Sequence, residues 1–190
     1  MRPADNPFRS ECLQSIPYIF PNGDWDILLN HLQSCGNRGA IVGACGTGKS
    51  TLLIQMEERF KEKKHQTIRL FLNDRNRREA GTHLHHFFKK MTREKIVFLD
   101  GAEQLNPWQW WWFLFQSRHT SGLIVTCHHE KHLPWVFKTS STPPLLSEII
   151  NQLLKDEKIR INIDHELLYK KHHGNIREAL REMYDIYSTM

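Results

Sequence analysis

The residues Gly43-Ala-Cys-Gly-Thr-Gly48-Lys49-Ser50 match G-x-x-x-x-G-K-[ST], the Walker A spacing. Its glycines permit φ > 0, so the backbone N–H groups of Gly43, Ala44, Cys45, Gly46, Thr47, Gly48, Lys49, Ser50 and Thr51 can turn inward around phosphates. Lys49 would neutralise charge on the outer phosphates, and the Ser50 hydroxyl would ligate Mg2+. The expected chemistry is the binding of a nucleoside triphosphate. No N-K-x-D occurs to select guanine, so ATP is the expected nucleotide, and no LSGGQ-like stretch marks a transporter cassette. A second acidic element, Walker B, is found in "KIVFLDGAEQL", where the apolar run Ile96 to Leu99 ends in Asp100. Its carboxylate would hold Mg2+ through water.

Those residues need a strand before the loop and a helix after it. "AIV" (Ala40 to Val42) reads as a buried strand. "KSTLLIQMEERF" repeats its apolar residues Leu52, Leu53, Met56 and Phe60 at helical spacing, which puts the phosphates at a helix N-terminus. "TIRLFLN" (Thr67 to Asn73) and "GLIVTC" (Gly122 to Cys127) supply two further strands. With Ile96 to Leu99 they predict an α/β fold, a parallel sheet joined by helical crossovers.

The chain of 190 residues has room for one α/β domain and a small appendage. A hydrophobic fraction of 39% with six Trp argues against a disordered chain. The net charge of +5 allows an anionic partner without requiring one. The four cysteines form no CxxC pair, and the twelve histidines show no zinc spacing, so they read as solvated or hydrogen-bonded. Without a signal-peptide pattern or an apolar run near ~20 residues, a cytoplasmic protein with no membrane insertion is expected.

At these motifs the sequence resembles the AAA+ P-loop ATPases, in particular the compact bacterial secretion-associated and transposition-helper type. The resemblance runs over most of the chain. "NPF", "IPYIF" and "DWDILLNHL" are similar to that group's lead-in, which implies Tyr18, Ile19 and Trp25 near the adenine. "GLIVTCHH" resembles the fourth strand with its polar sensor, implying a role for His128, with Thr126 as the alternative. "LPWVFKTSSTPPLLSEIINQLLKDEKI" resembles the fifth strand and first lid helix. In "HELLYKKHHGNIREALREMYDIY" the run Gly174-Asn175-Ile176-Arg177 resembles the motif that presents a second sensor, here Arg177. The resemblance therefore implies a parallel five-stranded P-loop domain over residues 1–141 and a small helical lid over 142–190. One departure bears on hydrolysis. The family's usual Glu after the Mg2+-holding Asp is replaced by Gly101, leaving Glu103 as the nearest carboxylate to orient water.

Two surfaces suggest partners. "NPWQWWWFLFQSR" holds four Trp within five residues. On a helix, Trp108, Trp111, Trp112 and Phe115 form one stripe while Trp110, Phe113 and Leu114 form another, so core plus interface is expected. The segment after the second strand carries Arg75, Arg77, Arg78, Lys89, Lys90, Arg93 and Lys95, a candidate for phosphate contacts on nucleic acid. Arg118, before the fourth strand, is the candidate finger toward a neighbour's nucleotide. The reading is an MgATP-binding switch or slow ATP hydrolase acting through a protein partner or self-assembly, with nucleic acid as a second candidate partner. A small-molecule phosphotransferase and a non-hydrolysing ATP-bound scaffold are the alternatives.

Overall fold

Strands β1 (Arg38–Val42), β3 (Ile96–Asp100) and β4 (Gly122–Cys127) are apolar without alternation, and nearly every residue in them is buried. That is the pattern of parallel strands covered on both faces. The computed structural model describes residues 6–21, 23–129, 133–155 and 163–189, and the side chain of Arg77 lies outside that set. With β2 (Thr67–Phe71) and β5 (Trp135–Lys138), these strands form one sheet of order β2-β3-β4-β1-β5 in which every pairing is parallel. The β1–β5 register shifts between Ala40 and Ile41.

The chain divides into two units, each discontinuous in sequence. The sheet unit comprises Asn22–Gly43 and Leu52–Lys138; the other comprises Met1–Pro21, Ala44–Thr51 and Thr139–Met190. In the sheet unit, helix α2 (Trp25–Ser34) buries Leu28 and Leu32. Helix α3 (Lys49–Glu62) buries Leu52, Leu53 and Met56 completely, and Phe60 meets Phe98 of β3 edge-on. The buried Glu57 of α3 is matched by Lys61 at 2.8 Å, Arg69 at 3.3 Å and the Thr67 hydroxyl at 3.0 Å. A carboxylate so buried needs such partners, and here they tie α3 to β2.

Helices α4 (Ala80–Phe88) and α5 (Pro107–Ser117) also belong to this unit. Asn106 caps α5 in a capping box with Gln109, and Pro107 occupies its first turn. At its other end Arg38 donates to the Ser117 carbonyl at 2.9 Å. So held, α5 separates its two aromatic stripes. Trp110 and Phe113 are buried and Leu114 is half-buried, whereas Trp108, Trp111, Trp112 and Phe115 face solvent. Core and exposed face are thus both present, as the spacing predicts.

The second unit is helical: α1 (Ser10–Ser15), α6 (Pro143–Leu153), α7 (His165–Lys171) and α8 (Ile176–Ser188). Leu146, Ile150, Leu168, Ile176, Leu180, Met183 and Tyr187 share one apolar cluster with Phe8. The lead-in is fastened to α8 by Asn6, whose amide donates to Tyr184 O and Ser188 Oγ, both at 2.9 Å.

Candidate functional site

Two of the three glycines in the loop after β1 have positive φ. Gly46 has φ +76° and Gly48 φ +89°, conformations that L side chains rarely adopt. A Cβ at Gly46 would fall 1.8 Å from Asn175 Oδ1, and one at Gly48 would fall 3.0 Å from the Tyr18 ring. Thr47 fixes the loop internally, bonding Ala44 O at 2.8 Å and Thr139 Oγ1 at 2.7 Å. The Lys49 ammonium donates to Ala44 O at 2.7 Å, folded into the loop it follows. Ser50 and Thr51 occupy the first turn of α3, and Cys45 is exposed.

Beside this loop a cavity of about 170 Å3 is walled by Ile16, Tyr18, Ile19, Thr51, Ile149 and Arg177, among others. Burial pushes the Tyr18 phenol above its ordinary pKa, so it is a neutral, largely apolar wall. The turn that leads into α8 is held from behind. Ser141 Oγ donates to Gly174 O at 2.6 Å, and Tyr169 OH donates to Ser141 O at 2.8 Å. Asn175 then caps α8 through Glu178 N, leaving Arg177 in the first turn and exposed. Trp25, expected beside the base, lies in the sheet unit with the Arg59 guanidinium 4.2 Å over its ring.

The sheet unit carries the remaining candidates. Asp100, at the end of β3, is buried and accepts from the Thr126 hydroxyl at 2.6 Å; Gly101 N donates to the same Thr126 oxygen at 2.8 Å. Thr126 thereby orients the carboxylate, a link the sequence carried only as an alternative sensor position. His128 is exposed, and its Nε2 stands 3.5 Å from Glu103 Oε1. The two candidates, separated in sequence by α5 and β4 (Gly122–Cys127), meet here. Glu103 Oε2 is buried and accepts no hydrogen bond among the described residues. Such an atom costs about 1–3 kcal/mol and recurs at functional positions.

The structure also explains Gly101. Its φ is +88°, and a Cβ there would fall 2.2 Å from Leu72 O. No glutamate fits at that position, so the nearest carboxylate must come from the 3-10 turn Ala102–Gln104.

No protein-family model and no curated protein matches the sequence. Solved structures do match. A DNA replication initiation factor superposes with TM-score 0.62 over 92% of this chain at 16% identity. The replication initiator DnaA, bound to AMPPCP and single-stranded DNA, superposes with TM-score 0.59 over 90% at 14% identity. This chain shares the fold of those two structures. It spans 63% of the length of each. Among the described residues no helix is long and apolar enough to cross a membrane.

Proposed function

We propose that this protein is an ATP-binding AAA+ switch that hydrolyses ATP slowly and acts through a macromolecular partner. The observation carrying the reading is the loop Gly43–Thr51 in phosphate-cradling form beside a cavity walled by Tyr18, Ile19 and Arg177. The residues fit a nucleotide: two glycines with φ > 0 where a side chain would collide, a lysine within the loop and an apolar wall for a base. Ser50 and Asp100 are the oxygens assigned to Mg2+, which when bound would screen the phosphate charge. Arg177 is assigned to the outer phosphates. The secretion-associated and transposition-helper resemblance enters as the same partner-dependent behaviour.

Slow turnover follows from Gly101 and Glu103. Glu103 is the assigned water-orienting base, its buried oxygen unmatched and its other oxygen facing His128. Nucleic acid is the proposed partner polymer, through Arg75 and Arg78, both exposed in the segment after β2. The initiator DnaA bound to single-stranded DNA supports the choice of ligand class. Calorimetric titration with MgATP, followed by turnover with and without single- and double-stranded DNA, tests the reading. Absence of nucleotide binding by a folded protein defeats it.

A further inference from the structure

The aromatic stripe of α5 does not stand alone. Together with Gly81, Leu84, His85 and Phe88 of α4 it lines a groove of about 880 Å3. Trp108 is 85% exposed, Trp111 53%, Trp112 54% and Phe115 49%, a contiguous apolar surface well beyond scattered exposure. Gly81 faces Gln109 near the start of both helices and Phe88 meets Phe113 farther along, so α4 and α5 run in the same direction.

Charge is distributed unevenly around this groove. Neither α4 nor α5 contains a carboxylate. At their shared C-terminal end stand Lys89 and Lys90, which follow α4, and Arg118, whose guanidinium lies 4.1 Å over the Phe115 ring. The nearby carboxylates have partners: Glu79 with His83 of α4 at 3.7 Å, Glu94 with the Gln66 amide at 3.4 Å, and Glu103 with His128 at 3.5 Å. At the N-terminal end the acceptor oxygens of Asn106 and Gln109 are consumed by the capping box, so the polar edge of a nucleobase would find no free side-chain acceptor from either residue. A second copy would bring together two chains of net charge +5.

We propose that the α4–α5 groove docks a short amphipathic helix of a protein partner, with apolar side chains at i, i+3/i+4 and i+7 and carboxylates at the end meeting Lys89, Lys90 and Arg118. The spacing follows from the stripe itself, which spans about two helical turns between Trp108 and Phe115. The proposal rests on α4 and α5 and stands whether or not the nucleotide assignment does.

The test selects random peptides of about fifteen residues, displayed on phage, against the whole protein. Counter-selection uses the double variant Trp111→Ser/Trp112→Ser. Both positions are solvent-facing, so the fold is retained, as circular dichroism would check. The expected enrichment is for apolar residues at helical spacing followed by Asp or Glu. In anisotropy titrations, synthetic peptides of that type should lose about tenfold in affinity or more with the double variant, and again with Arg118→Glu in otherwise unchanged protein. Enrichment without acidic residues, or affinity unchanged by Arg118→Glu, overturns the acidic-helix assignment. No enrichment overturns the docking site. Competition by a thymidine oligonucleotide would reassign the groove to nucleic acid, and sedimentation showing self-association abolished by the double variant would reassign it to a second copy.

Discussion

The turn after β1 and the turn after β3 each contain glycine with φ between +76° and +89°. In the loop after β1, Gly46 and Gly48 let the backbone pass against the side chains of Asn175 and Tyr18. In the turn after β3, Gly101 lets the chain pass against Leu72 O, and the space is filled by protein backbone. At both turns protein atoms lie where a Cβ would be: side chains of Asn175 and Tyr18 at the first, the backbone carbonyl of Leu72 at the second. The first turn borders a cavity, and the second packs against its neighbouring strand end, where no glutamate fits after Asp100.

The contrast can be broken most sharply at the turn after β1. Lys49→Ala should weaken MgATP binding by about a thousandfold by calorimetry, because the outer phosphates lose their principal counter-charge. Unchanged affinity in the folded variant would remove the nucleotide assignment and with it the distinction between the two turns. At the turn after β3, Glu103→Gln should lower turnover about a hundredfold while leaving ATP affinity intact, since the group acts in the transition state. Equal turnover in both proteins would assign Glu103 no catalytic part and favour an ATP-bound scaffold.

Gly101→Ala measures the packing directly. It should destabilise the protein by about 2 kcal/mol in urea unfolding, combining the left-handed backbone cost with the approach to Leu72 O. Gly36→Ala is the control, with φ +66° and nothing within 4 Å of its Cβ, and should cost about 1 kcal/mol. Equal losses would mean that backbone conformation alone, without the Leu72 contact, accounts for Gly101.

The smallest expected effect lies outside both turns. Replacing Arg75, Arg77 and Arg78 by Ala should weaken DNA binding about equally for unrelated sequences. Each lost phosphate contact should flatten the slope of log K against log salt by about 0.9 on duplex or about 0.7 on single strands. A change in ATP affinity instead would move these arginines to the triphosphate and revive the phosphotransferase alternative.

Much of this was legible in the sequence because it is written in local chemistry. Gly43 to Ser50 state a loop through their own backbone freedom, and Ile96 to Leu99 state a buried strand through their run of apolar side chains. The helical period of Trp108 to Phe115 separates two stripes before any contact is known. Which stripe faces the core depends on the sheet that α5 packs against, and only the fold decided that Trp110 and Phe113 go inward. Likewise, no local signal joins Thr126 to Asp100, Asn175 to Gly46 or His128 to Glu103. Those pairings arise when distant segments are brought together by strand order and helix packing. Gly101 shows the division most clearly: the sequence displays the missing glutamate, but its reason is a carbonyl 29 positions earlier, at Leu72, visible only once β2 and β3 lie side by side.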